Sequence, residues 1–309
     1  MSSIGKKRRL PPSTLNKLSP NRGFNISTIS LTAFNPPKDH LLRSIGMFDS
    51  GLGGLTVMRE VMKKLPHESI IYLGDTARVP YGEKSKETII RYSIENSIFL
   101  MDKSIKLLVV ACNTASAYSL EKLRKIFNIP VLGVIEPGAK RAAAVTKNQR
   151  IAILGTKGTI GSGCYQAEIK KLLPQAELFP VACPLFVPLV EEGFFRHSAA
   201  ELVIKEYLKP LKDIAIDTLL LGCTHYPFLK DLIQAEVGRQ VAIIDSASTC
   251  AEEIQHTLES HQQLAHNIGQ PSYEYFVSDD PERFKKNGEL FLGQPIPYVS
   301  ATLPMNFEF

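Results

Sequence analysis

The sequence contains no tryptophan, only five cysteines among its 309 residues, and few long apolar runs. An odd, small number of cysteines without CxxC spacing argues against a disulfide scaffold and a structural zinc site. The longest strongly apolar run, at residues 107–112, is far shorter than the roughly 20 residues of a membrane-spanning helix. We therefore expect a soluble protein of the reducing cytoplasm, without a membrane partner.

Positive charge is concentrated at the start of the chain. Residues 1–44 hold eight Lys and Arg but only one acidic residue, Asp39, out of 36 basic and 31 acidic residues in all. The remaining 28 basic and 30 acidic residues give the rest of the chain a net charge of −2. This balance does not favour a nucleic-acid partner. Residues 1–44 also lack the apolar stretch of a secretory signal, and we expect them to form a flexible basic extension.

Short apolar segments alternate with helical patterns from residue 44 onward. Each apolar segment ends in small or polar residues, and amphipathic spacing follows most of them. This alternation predicts an α/β fold with doubly wound parallel sheets. The predicted strands are residues 44–48, 69–73, 106–111, 130–134, 150–154, 177–181, 217–221 and 241–244.

The eight predicted strands form two sets of four that resemble each other. The similar segments are 45–51 and 151–157, 110–114 and 221–225, and the Val-Pro pairs at 79–80 and 187–188. This internal similarity predicts two similar lobes that face each other across a cleft. We expect residues 45–139 with a returning segment, 246–309, to form the first lobe, and residues 140–245 to form the second.

A cysteine stands at the carboxyl end of a central strand in each half, directly before a predicted helix. A helical pattern over residues 113–127 follows Cys112, and Pro227 suits a first helical turn after Cys223. Ligands bind beyond the carboxyl ends of parallel strands, so both thiols are expected in the cleft. A helix amino terminus also favours the thiolate. The cysteines without an equivalent partner position are predicted to be structural: Cys164, Cys183 and Cys250.

Two thiols on opposite sides of one substrate carbon predict a racemase. One thiolate removes a proton, and the other thiol protonates the opposite face of the planar carbanion. The strand ends supply polar groups for an ammonium and a carboxylate, with Asp49 as the acceptor for the ammonium. No metal is expected, because the histidines at positions 256, 261 and 266 share no helix face. The polar neighbours that could bind carboxylates are Ser50, Asn113, Thr114, Thr224 and His225.

Four motifs occur in order along the chain: IGMFDSGLGGLT at 45–56, YLGDTARVPYG at 72–82, ACNTAS at 111–116 and LGCTHYP at 221–227. Together they resemble the bacterial glutamate racemases of the aspartate/glutamate racemase family. The resemblance implies an enzyme that needs no cofactor and converts L-glutamate to D-glutamate for peptidoglycan synthesis.

The resemblance also implies roles for individual residues. Cys112 is expected to handle the α-proton of D-glutamate, and Cys223 that of L-glutamate. A supporting glutamate is expected in the segment 188–193, where we select Glu191 over Glu192. The positions that match substrate-binding residues of the family are Asp49, Ser50, Tyr81, Gly82, Asn113, Thr114, Thr224 and His225.

Other interpretations stay open at this point. An aspartate racemase has the same two-cysteine pattern. A hydrolase could use Cys223 with His225, although one nucleophile leaves no role for Cys112. A nucleotide-binding module is disfavoured, because the glycines at 155, 158 and 161 do not match the GxGxxG fingerprint. The oligomeric state is open, with a homodimer as one option.

Overall fold

The computed structural model describes residues 40–266 and 269–302. Within these residues, two separate sheets contain only parallel strand pairs. Their strands are β1 (Ile45–Asp49), β2 (Ile70–Gly74), β3 (Leu107–Val110), β4 (Val131–Gly133), β5 (Arg150–Gly155), β6 (Glu177–Ala182), β7 (Thr218–Gly222), β8 (Ala242–Asp245), β9 (Tyr273–Val277) and β10 (Ser300–Ala301).

Helices connect most of the successive strands, which makes the parallel pairing possible. In chain order they are α1 (Leu55–Lys64), α2 (Lys86–Met101), α3 (Asn113–Ile126), α4 (Ile135–Val145), α5 (Lys157–Ser162), α6 (Cys164–Leu172), α7 (Phe186–Glu191), α8 (Ser198–Leu208), α9 (Lys230–Val237), α10 (Ser246–Ser260) and α11 (Pro281–Leu292). In the described part of the chain, none of them has the length and apolar character that a bilayer crossing requires.

The strand order confirms the predicted α/β fold with two similar parallel sheets. The first sheet has the order β10-β9-β2-β1-β3-β4, and the second has the order β6-β5-β7-β8. The four-strand order β2-β1-β3-β4 is therefore repeated in the second sheet. Strands β1 and β3 are buried on both faces, as expected for central strands covered by helices.

All eight predicted strands are present, but the first sheet has six strands instead of the predicted four. Two further strands, β9 and β10, extend the first sheet beyond β2. Only two of the five residues of β9 are buried, and β10 has only two residues. These edge strands carry a weaker apolar signal than the central strands, so the sequence pattern did not reveal them. Residues 1–39, which make up most of the extension predicted at residues 1–44, lie outside the described residues.

In each sheet, the strand order favours a binding site at the carboxyl ends of the central strands. The strand after β1 lies on one side of the β1–β3 pair, and the strand after β3 lies on the other side. Strands β5 and β7 repeat this arrangement in the second sheet. A crevice forms at such a switch point, beyond the carboxyl ends of the two central strands. Residues that directly follow β1, β3, β5 and β7 are therefore the ones placed to form a site.

Candidate active site

A cavity of about 270 Å³ lies at the carboxyl ends of the central strands. Residues from both halves of the chain line it, including both predicted catalytic cysteines. Among the predicted site residues, those lining the cavity are Ser50, Tyr81, Gly82, Cys112, Asn113, Thr114, Glu191, Cys223, Thr224 and His225. The fold thus brings Ser50 and His225, which are 175 positions apart in the sequence, into one cavity.

Cys112 lies between β3 and the first turn of α3, as the sequence predicted. Its side chain is buried, and its thiol lies 3.8 Å from the hydroxyl oxygen of Ser50. Burial and the nearby Asp49 raise the pKa of Cys112 to about 12, although the backbone N–H of Ala115 acts in the opposite direction. The helix terminus therefore does not make this thiol acidic, contrary to the expectation from sequence. Cys112 is protonated at neutral pH in this structure.

Cys223 directly follows β7 and has a different environment. Its sulfur lies 3.8 Å from Nδ1 of His225, and Nε2 of the same ring lies 2.9 Å from Oε1 of Glu191. A 3₁₀ turn, Tyr226–Leu229, comes next, and α9 begins only at Lys230. Cys223 is therefore not directly before an α-helix, and the imidazole of His225 is the polar side chain that its sulfur contacts.

Hydrogen bonding controls the charge of His225. Burial alone would lower the pKa of His225, but its contacts with Cys223 and Glu191 raise that pKa to about 10. Burial works to raise the pKa of Glu191, and the hydrogen bond with His225 outweighs it, so this pKa lies below its ordinary value. The pair is consequently an imidazolium and a carboxylate at neutral pH. It places a positive charge beside the sulfur of Cys223.

Asp49 lies at the end of β1, behind the residues that line the cavity. One carboxylate oxygen, Oδ2, accepts a hydrogen bond of 2.8 Å from the backbone N–H of Gly51. The other, Oδ1, is buried without a hydrogen-bond partner among the described residues. Burial raises the pKa of Asp49, while the nearby His225 acts to lower it. Asp49 is thus a buried acceptor with one oxygen still able to receive a donor.

A buried polar network positions the loop that carries Tyr81 and Gly82. The hydroxyl of Tyr81 donates to Asp75, and Nδ2 of Asn96 donates to the same hydroxyl at 3.1 Å. Nε of Arg78 donates to Asp75 at 2.8 Å. Asp75 and Arg78 therefore form a largely buried ion pair beside the loop. The side chain of Tyr81 serves to support this loop, while the loop itself forms one wall of the cavity.

The side chains of Asn113 and Thr114 are already engaged in contacts with the second half of the chain. Oδ1 of Asn113 accepts a hydrogen bond of 2.6 Å from Tyr165. The hydroxyl oxygen of Thr114 lies 2.9 Å from that of Thr156 and 3.1 Å from that of Thr159. The groups at this helix start that remain suited to binding an anion are mainly its backbone N–H donors.

Residues 53–254 match the family model described as Asp/Glu/Hydantoin racemase. The chain belongs to this family. The glutamate racemase of Geobacter metallireducens is 52% identical over 251 residues, which cover 81% of this chain and 93% of that protein. The resemblance to glutamate racemases found in the four motifs is thereby confirmed.

Solved structures of glutamate racemases also have this fold. A glutamate racemase isoform from Bacillus anthracis superposes with a TM-score of 0.82 at 40% identity, covering 85% of this chain and 99% of the other. The glutamate racemase of Francisella tularensis, solved in complex with D-glutamate, gives a TM-score of 0.81 at 36% identity, covering 86% and 100%. The two facing lobes are thus a shared feature of these racemases.

Several residues that line the racemase cavity were not predicted. These are Val79, Pro80, Glu83, Thr156, Lys157, Pro184, Val187 and Pro188. The internal repeat could have found some of them, because it pairs Ser50 with Thr156 and one Val-Pro pair with the other. The two Val-Pro pairs line the same cavity in the folded chain. Equivalent positions of the repeat therefore indicate lining residues that residue type alone does not reveal.

Proposed function

We propose that this racemase interconverts L- and D-glutamate by a two-base mechanism that uses Cys112 and Cys223. One observation carries the proposal. The two thiols follow equivalent central strands in two similar sheets, are equally buried, and line one cavity. A planar carbanion held in this cavity has a thiol available for each face.

In the direction from L- to D-glutamate, Cys223 acts as the base. The imidazolium of His225, 3.8 Å from the sulfur, stabilises the thiolate that removes the α-proton. Cys112 then donates its proton to the opposite face of the carbanion. The pKa of about 12 suits Cys112 to this step, because it holds the proton until a strongly basic carbanion forms.

In the reverse direction, Cys112 has to lose its proton first. The substrate itself supplies a positive charge, since its ammonium group can donate to the free oxygen of Asp49. An ammonium beside Cys112 counteracts the effects of burial and of Asp49 on that thiol. The backbone N–H donors at the start of α3 and the hydroxyls of Ser50 and Thr224 are available for the carboxylates.

The proposed reaction involves only proton transfers between carbon and sulfur. We therefore propose that it requires neither a metal nor an organic cofactor, and that the partners are the small molecules L- and D-glutamate, without nucleic acid or membrane. We place the enzyme in the cytoplasm, as a monomer or homodimer that supplies D-glutamate for peptidoglycan.

Substitution of each thiol tests the mechanism. Cys112→Ser and Cys223→Ser should each lower racemisation by roughly 10²–10⁴-fold, because an alcohol is scarcely ionised at neutral pH. β-Chloroglutamate provides a sharper measurement, since it loses chloride after a single deprotonation. Cys112→Ser should retain elimination from the L-form only, and Cys223→Ser from the D-form only. The enzyme should be dialysed against a chelator before these assays, so that they also test whether activity requires a metal ion.

Cys183→Ser is the matched control, because this thiol is also buried but does not line the cavity. It should keep both racemisation and elimination close to wild type. A single-thiol mechanism would replace the two-base one if one cysteine variant lost both eliminations while the other remained a full racemase. Reversed enantiomer preferences would overturn only the assignment of each cysteine to a face.

A further inference from the structure

Tyr165 is a fully buried residue of α6 that does not line the cavity. Its hydroxyl donates a 2.6 Å hydrogen bond to Oδ1 of Asn113, the residue directly after Cys112. Nδ2 of Asn113 in turn lies 3.3 Å from the hydroxyl oxygen of Ser246, to which it donates. The Asn113 amide is thus held at both of its ends by residues outside α3.

The ring of Tyr165 contacts the segment that carries the second thiol. A Cβ added to Gly222 would lie 2.9 Å from Cε2 of the ring, so the ring occupies the space beside this glycine. Gly222 is the last residue of β7 and directly precedes Cys223. On its other edge, the ring lies 3.4 Å from the position of a Cβ on Gly138. Packing on two sides leaves the ring little freedom to move.

A single rigid side chain therefore links the residue after one thiol to the residue before the other. We propose that Tyr165 is a positioning residue that sets the separation of Cys112 and Cys223 across the substrate carbon. This inference rests on the proposed two-base function and deepens it. Proton transfer between carbon and sulfur is sensitive to displacement of the donor or acceptor by about 1 Å, which explains why such a link matters.

The two contacts of Tyr165 have different chemistry, and this makes the proposal testable. The link to Cys112 depends on a hydrogen bond, whereas the link to Cys223 depends on ring packing. Burial raises the pKa of Tyr165, so its hydroxyl remains a donor throughout the usual pH range. Removal of the hydroxyl alone should free the Cys112 side and leave the Cys223 side in place.

Tyr165→Phe carries out this removal while keeping the ring. Elimination from the D-form of β-chloroglutamate, which uses Cys112, should fall by about 10–100-fold. Elimination from the L-form, which uses Cys223, should stay within about twofold of wild type. A purely structural loss of packing would slow both reactions to the same degree. Equal slowing of the two eliminations, or no change in either, would overturn the proposal.

Two further variants separate this effect from a general loss of contacts between the lobes. Tyr118→Phe removes a 2.9 Å hydrogen bond from α3 to the carbonyl of Gly158 and should leave the ratio of the two eliminations unchanged. Ser246→Ala removes the other support of Asn113 and should bias the ratio in the same direction as Tyr165→Phe. Combining it with Tyr165→Phe should give less than the product of the two single effects, because both act on one amide.

Alkylation by iodoacetamide provides a measurement that does not require turnover. Mass spectrometry of the modified peptides should show faster alkylation of Cys112 in Tyr165→Phe, by several-fold, with the rate at Cys223 unchanged. Equal acceleration at both thiols would contradict the proposal. If the wild-type enzyme failed to racemise glutamate, the proposed function would be wrong, while the alkylation rates would still test the link through Tyr165.

Discussion

At the scale of single residues, the two cysteines of the cavity are chemically unlike each other. Cys112 is buried near the carboxylate of Asp49, which disfavours its thiolate. Cys223 is buried near the imidazole of His225, which carries a positive charge at neutral pH. In the proposed mechanism, this difference favours Cys223 as the base in the free enzyme, and the ammonium of the substrate would be needed before Cys112 can act as the base.

Glu191→Gln tests the charge on His225. The pKa of His225 is raised to about 10, so the imidazolium is present at neutral pH and is lost as the pH rises through that value. Loss of the carboxylate 2.9 Å away should lower this pKa by roughly 1–3 units. The alkaline limb of kcat/KM for L-glutamate should then move to lower pH by a similar amount.

Glu192→Gln is the control for this pH profile. Glu192 is exposed and lies 3.8 Å from Arg283 rather than near the imidazole. Its substitution should leave the alkaline limb where it is. An unshifted limb in Glu191→Gln would show that the carboxylate does not maintain the imidazolium.

At the scale of elements, the turn between β1 and α1 packs directly on the loop that follows β7. A Cβ on Gly53 would lie 2.2 Å from Oγ1 of Thr224 and 2.5 Å from Cε1 of His225. The hydroxyl of Thr56 donates to the carbonyl of Thr224 at 3.0 Å. The turn follows a strand of the first sheet, and the loop follows a strand of the second. Their close approach therefore fixes the position of His225 against the half of the site that the first sheet supplies.

Gly53→Ala should therefore displace the Thr224–His225 loop. We expect a loss of roughly 100-fold in kcat/KM, because misplacement of a catalytic group by about 1 Å has effects of this size. The free energy of unfolding should fall by about 1–3 kcal/mol from overpacking. Enzyme kinetics and urea denaturation measure the two effects separately.

Gly161→Ala is the matched glycine control. Apart from its two chain neighbours and the backbone of its own helix, no atom of the described residues lies within 4 Å of a Cβ added at Gly161 in α5. The substitution should preserve activity and stabilise the helix by up to about 1 kcal/mol. If Gly53→Ala behaved like this control, the turn would not be what positions His225.

At the scale of the whole molecule, the cavity lies between groups from both sheets, and we expect it to tighten around the substrate. Excluding water strengthens the interactions that stabilise a carbanion. Saturating D-glutamate should slow amide hydrogen exchange several-fold in the loops around Ser50, Tyr81 and Thr224. The turn at residues 146–149, at the opposite ends of the strands, should exchange at an unchanged rate. Identical exchange with and without D-glutamate would argue against closure.

A shortened chain tests whether the amino-terminal region contributes to the reaction. The described residues that line the cavity all lie between Ser50 and His225. A chain that begins at Leu41 should therefore retain kcat and KM within about twofold. This boundary keeps the carbonyl of Leu41, which accepts a 3.2 Å hydrogen bond from the buried ammonium of Lys106.

Deletion through residue 44 provides the comparison for the shortened chain. It removes the carbonyl of Leu41 and also that of Ser44, which accepts a 3.0 Å hydrogen bond from the backbone N–H of Lys106, and it should cost about 1–3 kcal/mol of stability. Thermal or urea denaturation of the two shortened chains measures this difference. Loss of activity in a folded chain that begins at Leu41 would show that the preceding residues act on the site.

Much of the fold follows from local sequence pattern. Buried strands with small or polar residues at their ends are recognisable because a strand covered on both faces has to be apolar throughout. The internal repeat further indicated two similar sheets and placed Cys112 and Cys223 at equivalent positions. The edge strands β9 and β10 escaped notice because a short, half-exposed strand has no such continuous pattern.

What the sequence by itself determined is that two thiols follow equivalent strands, and which polar residues accompany them in the site. Tertiary structure alone decided their protonation and their contacts. Burial and Asp49 override the helix terminus at Cys112, whereas Glu191 and His225 supply a positive charge at Cys223. Tyr165 joins the two thiol segments through contacts that no local pattern encodes. The physical reason is that pKa values and positions depend on desolvation and on neighbours distant in sequence, which exist only once the chain has folded.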